Sequence, residues 1–149
     1  MKYLILCFLL LGCCGVPDPP SWHQDFRLLN LTPEQETSAQ NALEQWQQAS
    51  RGEITSRITE HGSWVISQVS TIPNGQDILG QTDSYHSTII IMDDLKAPLF
   101  DLVILHEMGH AFGLDHSPNI PDVMYKNATD KPAILTQHDQ DSLRALVGE

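Results

Sequence analysis

The sequence predicts an α+β fold, and three observations carry that expectation. An amphipathic helical pattern occupies the first half, short alternating or β-branched runs fill the middle, and a helical stretch that is apolar nearly all round follows them. The 149 residues suit one domain, long enough to bury a core without covalent staples. A formal charge of −11 argues against a nucleic-acid partner, because phosphate binding needs clustered Lys and Arg.

The first fifteen residues, MKYLILCFLLLGCCG, hold one Lys, an apolar run over 3–11, and then small residues. That run is too short to span a bilayer and reads as an export signal. Its end, Leu10-Leu11-Gly12-Cys13, resembles the lipobox of bacterial lipoproteins. The resemblance implies cleavage before Cys13 and a lipid on that cysteine, hence an envelope-anchored protein with simple secretion as the alternative. Residues 1–13 are therefore expected as signal, 14–24 as an extended tether (VPDPPS), and 25–149 as the folded domain. Cys7, Cys13 and Cys14 all lie in the leader region, so the domain itself is expected to carry no disulfide.

DFRLLN (25–30) reads as a first strand. Thr32 then offers a helix cap, Pro33 suits the first helical position, and Gln35 closes a capping box. Ala39, Ala42, Leu43, Trp46 and Ala49 follow at helical spacing, and Gly52 ends the run. EITSRIT (53–59) and WVISQV (64–69) are expected strands, residues 78–82 a short one, and STIIIM (87–92) a strong one. Ala97-Pro98 opens a helix over 99–112. Leu99, Leu102, Val103, His106 and His110 share one face while Phe100, Ile104, Met108 and Phe112 make the other side apolar too, and such a helix belongs at the centre of a fold. Loop follows to Leu135. Thr136 caps a last helix whose apolar face is expected from Leu143, Leu146 and Val147.

HEMGHAFGLDHS (106–117) carries the chemistry. His106 and His110 lie one helical turn apart on one face, close enough to share an ion. Gly113 permits the chain to turn and deliver His116 as a third ligand. Three nitrogens leave a fourth tetrahedral position for water, the layout of a catalytic zinc site. Glu107 is placed beside the metal without ligating it, as a general base for that water and then a proton donor to the leaving amine.

H-E-x-x-H-x-x-G-x-x-H followed by Met124 in PDVMY resembles the metzincin clan of zinc endopeptidases. Ser117 after the third histidine, and Met-Tyr beyond it, resemble its matrixin branch. FRLLNLTPEQETSAQNALEQWQQAS and LTQHDQDSLRALVG resemble the first strand, first helix and last helix of matrixin catalytic domains. The resemblance implies a twisted mixed sheet packed on an N-terminal helix and a central active-site helix, with a C-terminal helix after the methionine turn. It also implies a methionine floor from Met124 and peptide or protein substrates lying extended along an edge strand, for which residues 78–82 are the candidate.

Several features depart from that pattern. Only His86 stands where a second, structural zinc would need several histidines, so none is expected there. Asp77, Asp93 and Asp94 are candidate calcium ligands without a calcium loop. Cys14-Gly15-Val16-Pro17-Asp18 matches the core of the matrixin cysteine switch, which makes Cys14 a candidate zinc-blocking thiolate. The arginine expected before it is absent, and the remaining tether reaches at most ~25 Å, so a lipoprotein start is the preferred reading. The sequence thus points to an exported, monomeric zinc metalloendopeptidase. The alternative is a catalytically inactive metzincin-like domain that binds peptides or proteins, against which an intact Glu107 argues.

Overall fold

Local signals fix most of the elements, and long-range contacts fix the rest. A computed structural model describes residues 3–4, 23–72, 78–128 and 131–148. Cys13, Cys14, most of the leader and tether, and Asp77 lie outside the described residues. In chain order the elements are β1 Tyr3–Leu4, β2 Phe26–Leu29, α1 Pro33–Ala49, β3 Trp64–Val69, β4 Gly80–Asp83, β5 Thr88–Met92, α2 Leu99–Ala111, β6 Asn127–Ala128 and α3 Gln137–Val147.

The caps act as the sequence implies. Thr32 Oγ1 accepts from the Gln35 amide at 3.3 Å while Gln35 Oε1 accepts from the Thr32 amide at 2.9 Å, which satisfies two orphan donors of α1. Thr136 and Asp139 form the same reciprocal box at the start of α3. The four-stranded sheet runs β2-β3-β5-β4. β2, β3 and β5 are parallel, whereas β4 pairs antiparallel with β5 and ends the sheet. This mixed sheet with its helices is the expected α+β architecture.

The core lies between the sheet and the two long helices, with Phe26, Leu43, Trp46, Ile89, Val103 and Phe112 essentially inaccessible. Trp46 joins α1 to α2. Its indole N–H donates to the Leu105 carbonyl at 2.9 Å, and its ring meets Phe112 edge-on at 6.5 Å. α2 is buried along almost its whole length, as a helix apolar on all sides must be.

Three expectations need correction. Residues 53–59 form no strand and make only a single bridge, from Ile58 to Phe26. Side chains satisfy backbone groups that a ladder would have used: Asp25 accepts from the Arg57 amide, Ser50 accepts from the Ile54 amide, and Gln47 donates to the Ser56 carbonyl. The edge strand is displaced to Gly80–Asp83 from the expected 78–82. In α3, Leu143 is buried and Val147 packs against the core, but Leu146 is 38% exposed. The pairing of Tyr3–Leu4 with Asn127–Ala128 was not expected, because two-residue strands leave no periodicity to read. Among the described residues no helix is long and apolar enough to cross a membrane.

Candidate metal centre

The rigid part of the site is the second half of α2. His106 and Glu107 are fully buried there, and His110 follows one turn on. Gly113, at φ +94°, reverses the chain just past the helix end, where residues with a Cβ are strained. The chain then returns past His116, and the Ser117 amide donates to the Met124 carbonyl at 2.8 Å, fastening the third histidine to the methionine turn.

Two of the imidazoles are oriented by backbone oxygens. His106 Nδ1 lies 2.7 Å from the Val123 carbonyl and His110 Nδ1 lies 2.7 Å from the Leu114 carbonyl. A carbonyl only accepts, so each Nδ1 carries the hydrogen and each Nε2 presents a lone pair. Those two Nε2 atoms stand 3.0 Å apart. Lone pairs repel at that distance unless a cation lies between them. Two nitrogens on one tetrahedral ion at about 2.0 Å each would stand roughly 3.3 Å apart, so the spacing fits a shared metal. His116 completes the trio: the three residues each offer an atom within 4.8 Å of the others, and its buried Nε2 has no hydrogen-bond partner. Chemically this is a three-nitrogen donor set suited to zinc.

Burial holds all three rings in the neutral form that a metal needs. His106 is pushed well below its ordinary value by burial and by His110 beside it. His110 is lowered to about 4, again by burial first and then by His116. Burial lowers His116 as well, opposed by the neighbouring Asp115. Desolvation disfavours the imidazolium in each case.

Met124 packs against α2 where Gly109 leaves room. A Cβ at Gly109 would stand 2.4 Å from Met124 Sδ and 2.9 Å from Trp46 Cζ2. Asp139, reaching from α3, accepts from the Val123 amide at 2.9 Å and the Met124 amide at 3.2 Å. It therefore fixes the peptide whose carbonyl orients His106. Asp122 gathers the same loop: its carboxylate accepts from Ser117, from Asn119 at 3.1 Å and from Thr136 at 2.7 Å, and pairs with His138 at 2.7 Å. Burial alone would raise this acid, but those donors hold it below the usual carboxylate range. The edge strand β4 crosses α2 at Glu107, where a Cβ on Gly80 would meet Val103 at 2.7 Å and Glu107 at 2.9 Å.

The structure thus gathers His106, His110, His116, Glu107 and Met124, all five singled out in the sequence. Outside the trio, His86 pairs with Asp83 at 2.6 Å, while His23 contacts Thr55. Among the described residues no other convergent group of metal ligands occurs, and Asp93 and Asp94 give calcium no support. Sequence reasoning missed Asp139, Asp122 and Thr82. Asp139 gave the one usable signal, an acid three residues past the Thr136 cap, which marked a capping box but not its second set of partners.

The Matrixin family profile matches residues 34–148, a span that contains the whole trio and the methionine turn. The chain belongs to the matrixin family. Among its relatives, stromelysin-1 of Mus musculus is 29% identical over 167 residues, covering 92% of this matrixin chain and 35% of the relative. Stromelysin-1 of Rattus norvegicus is 27% identical over 172 residues, with the same shares of 92% and 35%. Matrix metalloproteinase-A of Caenorhabditis elegans is 41% identical over 46 residues, which is 31% of this matrixin chain and 9% of that protein. The chain therefore spans about a third of the length of the stromelysins it matches. Family membership supports a zinc metalloprotease in general, and the histidine group could bind its metal.

Proposed function

We propose that this chain is a zinc-dependent endopeptidase in which His106, His110 and His116 hold the ion and Glu107 is the general base. The observation that carries the reading is the convergence of carbonyl-anchored imidazoles, with bare Nε2 atoms, beside a fully buried glutamate. A zinc ion held there would supply Lewis acidity and an acidified water. Glu107 would accept the proton given up by the nucleophilic water and return it to the departing amine. Met124 gives the trio an apolar floor that excludes solvent from beneath. The free edge of β4 offers backbone donors and acceptors to an extended protein or peptide substrate, placing its scissile bond over Glu107.

The same proposal assigns 1–13 as an export signal with Cys13 as the lipidation site, 14–24 as a tether, and 25–149 as the peptidase domain of a monomer at the cell envelope. Replacing Cys13 by Ala is expected to move the protein from the membrane fraction to the soluble one. Cys14 is read as part of the lipoprotein start; a gain of activity on mercurial treatment would make it a latency thiolate instead. The central test is elemental analysis with casein cleavage by wild type and Glu107→Ala. One zinc per chain in both proteins, with cleavage by the wild type alone, is expected. A wild type that keeps its zinc and cleaves nothing across a broad peptide library abandons the peptidase reading in favour of a peptide-binding domain.

A further inference from the structure

Glu107 is gripped from a direction that the metal motif does not foretell. Thr82 lies on β4, two residues beyond Gly80 and therefore on the same face of the strand. Gly80 lets the strand settle on α2, since any Cβ there would meet Glu107 Cγ and Oε1 at 2.9 Å. That close approach brings Thr82, only 5% exposed, onto the glutamate. Its Oγ1 is 2.6 Å from Glu107 Oε2 and 3.0 Å from the Glu107 carbonyl. A hydroxyl has one proton to give. The carboxylate oxygen is the nearer and the charged acceptor, and 2.6 Å is the length of a charge-assisted O–H···O⁻ bond.

We propose that Thr82 is a positioning residue for Glu107, its hydroxyl fixing the rotation of the carboxylate and so which oxygen faces the imidazole trio. This rests on the peptidase reading for its catalytic meaning, though not for the bond itself. A base that must accept a proton and release it along two different lines works best when it cannot swing. The donor also sits on β4, one of the two edge strands of the four-stranded sheet and the one that crosses α2 at Glu107. Substrate docking and orientation of the base therefore share four residues of backbone. A peptide that straightens or shifts β4 moves the Glu107 carboxylate with it.

Thr82→Val removes the hydroxyl at constant shape, and Thr82→Ser keeps it. With zinc loaded, the valine variant is expected to lose about tenfold in kcat with KM within twofold and zinc content unchanged. The serine variant is expected to retain kcat within about threefold. A second readout needs neither metal nor activity: a double-mutant cycle in urea unfolding of the metal-free protein at pH 7.5. Thr82→Val should lower the folding equilibrium constant about tenfold in the wild-type background and less than twofold in Glu107→Ala. Equal losses in both backgrounds would mean that the hydroxyl serves the backbone carbonyl, and the proposal falls. Equal kcat for the valine and serine variants overturns it too. If the wild type cleaves nothing, the peptidase reading fails by itself while the cycle still decides whether Thr82 holds Glu107.

Discussion

Removing the metal should make this fold unusually sensitive to mild acid, and the buried histidines set the size of the effect. His110 is lowered to about 4 in the folded chain, whereas an unfolded histidine titrates near 6.5. Between those values the unfolded chain binds a proton that the folded chain refuses, so stability falls as pH falls. The stabilisation is fully present above about 6.5 and drains away towards 4. A difference of about 2.5 pH units at about 1.4 kcal/mol each gives roughly 3 kcal/mol from His110 alone. His106, fully buried and displaced in the same direction, adds to the loss. Against a typical total of about 5–15 kcal/mol, that is enough to bring the metal-free protein close to unfolding by about pH 5. Asp83 and Asp122, held low by their donors, lose their contribution only below this window. Urea unfolding of chelator-treated protein at several pH values between 7.5 and 4.5 measures the slope. A stability flat to within about 1 kcal/mol across that range would refute the argument, since it would mean that the rings are not desolvated as packed.

Zinc at about 100 times its dissociation constant should restore about 2.7 kcal/mol near neutral pH, read as a rise in unfolding midpoint that His106→Ala abolishes. Gly109→Ala gains about 1 kcal/mol of helix propensity but drives a methyl to 2.4 Å from Met124 and 2.9 Å from Trp46, which is itself tied to Leu105. Overpacking of about 1–3 kcal/mol outweighs the gain, so the thermal midpoint should fall by a few degrees; an unchanged or higher midpoint would show that Met124 simply moves aside. Asp139→Ala strips the acceptor from the Val123 and Met124 amides and should cost about 2–3 kcal/mol in unfolding. By loosening the carbonyl that orients His106, it should also weaken zinc binding about 10–100-fold in a chelator competition, and native affinity in that variant would count against the coupling.

What could be read from the sequence was local. The capping boxes at Thr32 and Thr136, the alternation in WVISQV and the four-residue step from His106 to His110 all declare themselves within one or two turns of chain. The metal trio was legible because helix geometry alone brings two of its members together and Gly113 supplies the turn for the third. EITSRIT misled because its alternation is real while, beyond the single bridge to Phe26, side chains of Asp25, Gln47 and Ser50 take up backbone groups that a ladder would have used. Thr82 and Asp139 stayed hidden for a related reason. Their partners lie 25 and 15–16 residues away in sequence, and no period links them.

That last separation bears on how the domain is assembled. Among the described residues the amides of Val123 and Met124 find their acceptor in Asp139, on α3. During synthesis the three histidines leave the ribosome well before the carboxylate that steadies the loop beneath them. A nascent chain can hold its imidazoles and still lack a firm seat for the ion. A firm seat for the ion is thereby tied to the arrival of α3, well after the third histidine has left the ribosome.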